Sequence, residues 1–524
     1  MNHVKPALST APDRLHDYVR KWAFERPTAD AVVDGGRALS YAELAARIDA
    51  CAAGLIVSGV QPGDRVATLA PPGSDFIVTF LATTAVGGIW SGLNPRYAAV
   101  ELDALVARLE TKLVFYTPSI ETRDFRPWAA SLPHELQKVE LDAGAASPPG
   151  LATFADFIAT GQSCDSIQLV SRYRSTTPDD PCLIVFTSGS TGAPKGVMIS
   201  QHALTGASRV QASIWAADPM RVLVNLPINH IGCVGDLCCH ALVSGGAMVF
   251  TPRFDPAASL DAIERHAITV WGQVPTMFQL TLDAPGFDPA RLRSLQWLFW
   301  GGAHATPELI RRLQLLAPRI ATSYGQTETV GSVAFTPADA DIVTLQETVG
   351  HAVPPYEIRI VDSSKTLPAG CEGQIEVRTP FGMSGYWRDP EADASMMTAD
   401  GWRRTGDVGM LDAQGNLRLL GRVHDVFKSG GYNIYPAEIE AALMRHRAIR
   451  EASVVSAPDP LYGNVAVAFL VADTATEGDA LREFLREHLA NYKIPKRFHF
   501  VDGLPRLPVG KVDKSALRKQ ACGQ

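Results

Sequence analysis

Phe186 to Ser200 reads FTSGSTGAPKGVMIS, a run of Ser, Thr and Gly around a single lysine, Lys195. The apolar LIVF at its start is strand-like, and TSGSTGAPKG can form a loop of free backbone amides, a ready cradle for phosphate. A Walker loop needs Gly before the lysine and Ser or Thr after it. Those places hold Pro194 and Gly196, so the Walker reading fails on both counts. A merely flexible surface loop leaves unexplained the hydroxyls of Thr187, Ser188, Ser190 and Thr191 clustered beside a lysine and behind a strong strand. The stretch reads as a strand that delivers a phosphate-binding loop.

Working outward, residues 37–330 alternate short apolar runs with amphipathic stretches: RVATLAP then FIVTFLATTAVGG, RVLVNLP, GAMVFTP, TVWGQVP, LQWLFWGG and IATSYG. Such alternation predicts an α/β fold with largely parallel sheets. From about Val349 the texture changes to period-two strands and turn residues, YEIRIVDSSKTLPAGCEGQIEVRTP and GMLDAQGNLRLLG, which predicts a β-barrel-like subdomain. A polar, glycine-containing connector follows Arg422, and residues 436–524 then read as a small α+β unit. The expected division is 1–422 (its β-rich part about 349–422), a hinge and connector at 423–435, and a mobile C-terminal domain at 436–524.

Composition narrows the function classes. The 524 residues are too many for one ordinary core. A net charge of −7 and an acidic balance argue against nucleic acid, which needs a basic face. There is no apolar run long enough for a membrane span, no apolar leader at MNHVKPALSTAPDRLHDYVRKW and no peroxisomal tail in ACGQ, so a cytoplasmic location is expected. The eight cysteines include no CxxC pair, and CVGDLCCH reads as a small-residue core face.

The string TSGSTGAPKG resembles the phosphate-loop signature of the adenylate-forming superfamily of acyl-CoA synthetases, peptide-synthetase adenylation domains and beetle luciferases. Further stretches resemble that family's other motifs, in order: SYAELAARIDACAAGL near residue 40, YGQTE at 324–328, WRRTGDVG at 402–409, GRVHDVFKSGGYNIYPAEIE at 421–440 and LPRLPVGKVDKSALR at 504–518. The likeness spans nearly the whole chain. It implies that a carboxylate attacks the α-phosphate of ATP, releasing pyrophosphate, and that a thiol then displaces AMP. The expected cofactors are ATP, Mg²⁺ and CoA.

By this resemblance Thr187, Ser188, Gly189, Ser190, Thr191, Gly192 and Lys195 hold the departing phosphates. Glu328 and Thr187 hold Mg²⁺, Thr327 meets the α-phosphate and Tyr324 stacks on adenine, with Gly325 and Gln326 beside it. Gly301, Gly302 and Ala303 allow close approach of backbone to base and acid. Asp407 accepts the ribose hydroxyls, with Arg422 as a second ribose contact. Taken singly, Glu328 could cap a helix, Asp407 form a turn and Arg422 a surface ion pair; the ordered set favours the nucleotide roles.

Lys511, in PRLPVGKVDK, resembles the lysine that the small domain inserts for adenylation. A cation placed beside developing charge is worth about 3 kcal/mol. Its context also resembles sites silenced by lysine acetylation, so a lysine acetyltransferase is an expected partner. In the family this domain rotates between half-reactions, presenting Gly430 and Gly431 to the pantetheine arm, with Lys428 a candidate contact near the adenylate or the CoA. The pivot is normally Asp or Lys; here it is His424. That imidazole either makes rotation respond to pH or is a tolerated polar residue in an exposed connector.

NLPINHIGCVGDLCCHAL resembles the segment that lines the acyl pocket. His230 is then a catalytic candidate or a structural histidine. Asp236, one and two-thirds helical turns further on, faces the acid's tail or points outward. Facing inward, a buried carboxylate demands a hydroxyl, amine or cation on the substrate. Trp300 and His304 flank the glycines and would narrow the pocket toward an aromatic or compact acid. No phosphopantetheine site (GGxS) and no FDxS string occurs, which favours free CoA as acceptor over a separate carrier protein.

Overall fold

The computed structural model describes residues 12–141, 152–187, 194–423, 425–429, 432–507 and 512–523, and of Tyr432 and Asn433 the backbone only. Among the described residues the strands form two large sheets, of nine and eight strands, a five-stranded sheet and a three-stranded sheet, besides two small hairpins. In the nine-stranded sheet the strands Ala247–Phe250, Arg221–Val224, Val270–Gln273, Trp297–Trp300 and Arg319–Gln326 run parallel. Their carboxyl ends therefore share one edge, where ligands of open α/β sheets bind.

The eight-stranded sheet holds the opening motif. Pro181–Thr187 lies parallel to Ile89–Leu93 and antiparallel to Lys195–Ser200, with Thr187 opposite Lys195. The two large sheets share one apolar core, which includes Val66, Trp90 and Leu183 from one and Val222 and Val270 from the other. A second cluster covers the far face of the nine-stranded sheet. The alternation read over 37–330 is thus the α/β body of the protein. Its first long helix, Tyr41–Val57, starts at a capping box: Glu43 Oε2 accepts from Ser40 N at 2.8 Å, and Ser40 Oγ accepts from Glu43 N at 3.3 Å.

The change of texture after Val349 corresponds to antiparallel strands Glu357–Asp362, Gly373–Arg378, Arg403–Leu411 and Leu417–Arg422. Beyond them, Ile449–Asp459, Gly463–Ala472 and Arg497–Phe500 form a small mixed sheet. The helices Pro436–Leu443, Gly478–Arg486 and Lys514–Ala521 cover it, each contributing buried residues to apolar clusters separate from the main core. The fold is mixed α/β, with a large N-terminal part and a smaller C-terminal domain. Among the described residues no helix is long and apolar enough to cross a membrane.

One local conformation departs from sequence expectation. Gly232–Cys239, read as ordinary helix, is a π-helix. Its Cys233, Cys238 and Cys239 are buried, and burial pushes the thiols of Cys238 and Cys239 well up.

Candidate active site

The hairpin that carries the opening motif ends beside the turn following Arg319–Gln326. Lys195 Nζ lies 5.3 Å from the ring centroid of Tyr386. The phenol of Tyr386 donates to Glu328 Oε1 at 3.0 Å. A short strap fixes this arrangement: Met383 N donates to Glu328 O at 3.0 Å, Ser384 N to Met198 O at 2.8 Å and Trp387 N to Gly196 O at 2.7 Å. Residues 195 and 328, far apart in sequence, thereby share one side chain. Tyr386 is missed by sequence reasoning; its only local signal is an aromatic pair, Tyr386 and Trp387, inside a polar, turn-rich stretch.

Three of the residues read as nucleotide contacts converge on the carboxylate of a fourth. Asp407 is buried; its Oδ2 accepts from Tyr324 Oη at 2.6 Å and from Gln326 Nε2, and Arg422 Nε lies 2.7 Å from Oδ1. Gln326 Nε2 also donates to Thr405 O at 2.9 Å. Burial first, then the neighbouring carboxylate, pushes the Tyr324 phenol well up, so it remains a donor. Thr327 is buried in the following turn, which Thr329 Oγ1 closes by accepting from Gln326 N at 2.8 Å. Gly325 has no substitute here: a Cβ would stand 2.0 Å from Gly331 O, a backbone atom that cannot step aside.

The expected acyl side is built on His230 and the π-helix. His230 Nδ1 accepts from Gly232 N at 3.0 Å, so the neutral ring carries its proton on Nε2. Asp236 projects toward Gly331, where a Cβ would come within 2.6 Å of Oδ1. Burial raises this carboxyl to about 7, and a hydrogen bond from the Ser332 backbone opposes the rise. Ser332 Oγ lies 2.9 Å from Ser323 Oγ, and Ser323 borders Gly301. Asp236, Gly331, Ser332, Ser323 and Gly301 thus follow one another along a single wall. The π-helix turns each residue through a smaller angle than an α-helix, so the spacing from His230 alone does not give the direction of Asp236.

Trp300 is placed differently from expectation. Along Trp297–Trp300 the side chains alternate: Trp297 and Phe299 enter the core between the sheets, while Leu298 and Trp300 enter the cluster on the far face. Trp300 is 1% exposed there, on the side of the sheet away from the π-helix, so it packs in the core and does not narrow a pocket. Gly302, Ala303 and His304 are exposed, with Gly302 at φ +79°. Lys428 is exposed on the strand Phe427–Ser429. Ser188, Gly189, Ser190, Thr191, Gly192, His424, Gly430, Gly431 and Lys511 lie outside the described residues.

These features recur in known proteins. The AMP-binding enzyme family matches residues 19–387, and the AMP-binding enzyme C-terminal domain matches residues 438–511. The chain belongs to the AMP-binding enzyme family. A feruloyl-CoA synthase from Amycolatopsis sp is 35% identical over 501 residues, covering 94% of this chain and 96% of its own. The 3-[(3aS,4S,7aS)-7a-methyl-1,5-dioxo-octahydro-1H-inden-4-yl]propanoyl:CoA ligase of Rhodococcus jostii is 34% identical, covering 98% and 100%. Among solved structures, ATP-bound MatB from Rhodopseudomonas palustris superposes with a TM-score of 0.85 at 30% identity, covering 97% of this chain and 99% of that one. The ordered motifs therefore identify an AMP-binding enzyme of the acyl-CoA synthetase branch.

Proposed function

We propose that this AMP-binding enzyme activates a ring-bearing carboxylic acid whose tail carries a hydrogen-bonding group, using the residues gathered at the carboxyl edge of the sheet. The overall reaction is that of an AMP-forming acid:CoA ligase. The acid's carboxylate oxygen bonds to the α-phosphorus of ATP as the bond to pyrophosphate breaks. The CoA sulfur then bonds to the acyl carbon as AMP leaves with the electron pair. A carboxylate is a weak nucleophile facing an anionic triphosphate, so alignment and charge neutralisation carry the catalysis.

The observation that carries the site assignment is the convergence of Lys195, Tyr386 and Glu328 at the end of the phosphate-loop hairpin. Lys195 supplies positive charge to the departing phosphates. Glu328 suits a hard divalent cation: its Oε1 faces a neutral phenol, and among the described residues no lysine or arginine pairs with it. Glu328, with the hydroxyl of Thr187, would hold Mg²⁺, and Thr327 would meet the α-phosphate. When bound, that ion neutralises phosphate charge. Asp407, already oriented by Tyr324, Gln326 and Arg422, receives the ribose. His230, with its proton on Nε2, faces the reacting carboxyl as a donor. Lys511 supplies the second cation for adenylation and is the residue whose acetylation would stop it.

Two features support the acid class. Gly301, on the strand edge beside Ser323, adds no side chain there, and the nearest atoms to a Cβ built on it are Ser323 O and Oγ at 3.6 Å, which leaves space for a ring to approach the backbone. The relatives named for feruloyl and fused-ring propanoyl groups act on acids of that build. A carboxyl held near neutrality by burial can accept or donate to a hydroxyl or carbonyl on the tail.

The test is product analysis after incubation with ATP, Mg²⁺, CoA and a panel of hydroxylated aryl, plain aryl, fused-ring, short and long-chain acids. AMP with acyl-CoA, greatest for tail-substituted ring acids, supports the proposal. Acyl-AMP accumulating over untouched CoA would assign a carrier-loading enzyme instead. ADP and phosphate would overturn the reading of the phosphate loop.

A further inference from the structure

Tyr386 stands between two opposite charges that do not meet. Its backbone lies on a two-residue strand, Gly385–Tyr386, paired with Lys195–Ser200 so that Tyr386 is opposite Val197. Its buried phenol donates to Glu328 Oε1 at 3.0 Å while Lys195 Nζ sits over its ring. Among the described residues Lys195 and Glu328 form no ion pair with each other, although both reach the same aromatic side chain.

An ammonium and a carboxylate at such close quarters would otherwise pair directly, because their mutual attraction grows as water is excluded. A direct pair would consume the two charges that an incoming nucleotide and its cation need. An aromatic face holds an ammonium without neutralising it, since the attraction comes from the ring quadrupole. A phenol O–H likewise orients a carboxylate without cancelling its charge.

We propose that Tyr386 is a positioning residue of the adenylation half-reaction, a neutral spacer that keeps Lys195 and Glu328 apart and aimed at the phosphate end of ATP. This rests on the reading that those two residues serve the nucleotide. The spacer itself is held from both sides. Tyr386 N donates to Asp393 Oδ1 at 2.7 Å, and Trp387 is tied through its backbone to Gly196 and through Nε1 to Arg108 O at 2.9 Å. The ring therefore keeps its place when the nucleotide is absent.

Tyr386→Phe and Tyr386→Leu separate the two contacts. The Phe variant keeps the ring under Lys195 and loses the hydrogen bond to Glu328; the Leu variant loses both. Three readouts apply to each: ATP–pyrophosphate exchange at varied Mg²⁺, thioester formation from supplied acyl-AMP, and the rise in melting temperature caused by MgATP relative to ATP with EDTA. Tyr386→Phe is expected to raise KM for MgATP about tenfold, the worth of one hydrogen bond to a charged group, with kcat little changed. Tyr386→Leu is expected to lower exchange roughly 10²-fold and to abolish the extra thermal shift given by Mg²⁺. Both variants should form thioester from acyl-AMP at the wild-type rate. Wild-type exchange in Tyr386→Leu would overturn the proposal, and so would equal loss of both half-reactions in Tyr386→Phe. Full exchange activity in Lys195→Met and Glu328→Gln would instead overturn the nucleotide site itself, a result these variants report independently.

Discussion

Arg422 and Asp407 face each other across an antiparallel strand pair, with Arg422 Nε 2.7 Å from Asp407 Oδ1. The two partners are unlike. The Arg422 side chain is 54% exposed and that of Asp407 only 9%, while the other Asp407 oxygen is held from inside by Tyr324 and Gln326.

That asymmetry predicts unequal costs. Arg422→Ala breaks a solvent-exposed ion pair and should cost no more than about 1 kcal/mol of stability. Asp407→Ala leaves the buried Tyr324 phenol without its acceptor and should cost about 2–3 kcal/mol. If both residues contact ribose, both changes raise KM for ATP. Urea denaturation beside steady-state kinetics separates the two effects, and equal losses of stability would mean that Tyr324 and Gln326 find other partners.

Gly325→Ala is expected to be severe. The added methyl would meet Gly331 O at 2.0 Å, so the strand pair would have to separate just where the Thr327–Glu328 turn begins. Overpacking against backbone costs about 2–4 kcal/mol. Thermal unfolding should show a clear fall in Tm together with loss of pyrophosphate exchange. A stable, active variant would mean that the turn tolerates rearrangement.

Asp236 gives a pH signature with a definite sign. Its carboxyl is raised from 3.8 to about 7 by burial, so the folded protein retains a proton that the unfolded chain has already lost. The contribution of Asp236 to stability therefore falls as pH rises from about 4 to about 7 and levels off above that. Tyr356 and Cys239 are titratable groups that sense this carboxyl, and burial keeps both neutral across the range. His240, which hydrogen-bonds to the Asp236 backbone, is held down to about 4 by burial and contributes a slope of the opposite sign between about 4 and 6.5. Asp236→Asn should remove this contribution and, at pH 8, stabilise the protein relative to wild type by about 1–3 kcal/mol. Denaturation midpoints at pH 5 and pH 8 for both proteins measure it. The same variant should lower kcat/KM for tail-hydroxylated acids about 10- to 100-fold relative to their unsubstituted counterparts.

Lys511→Ala is expected to reduce acyl-AMP formation 10²- to 10³-fold while largely sparing thioester formation from supplied acyl-AMP. The two half-reactions are assayed separately, by pyrophosphate exchange and by CoA-dependent AMP release. A parallel loss in both would remove Lys511 from the adenylation step.

How much of this was written locally can be argued from particular residues. Asp407 and Arg422 sit on neighbouring strands of a meander, and Gly325, Thr327 and Glu328 lie within one turn motif, so short-range sequence already groups them. Strand alternation over residues 37–330 likewise announced the α/β body, because periodicity is a property of each segment alone. Trp300 shows the first limit. Its neighbours Gly301 and Gly302 mark the site edge, yet the parity of its strand turns the indole to the opposite face of the sheet. Asp236 shows the second, since a π-helix shifts the angular phase that an α-helical count assumes.

The amino-acid sequence by itself determined the fold class and the ordered motifs that mark the family, both of which depend on residue types within a few positions of one another. The tertiary structure alone decided which side of a strand Trp300 occupies, that Asp236 meets Gly331, and that Tyr386 reaches Glu328 from 58 residues away while lying under Lys195. Those contacts arise because nonconsecutive strands become neighbours in a sheet, and strand order is set by the packing of the whole core rather than by any local signal.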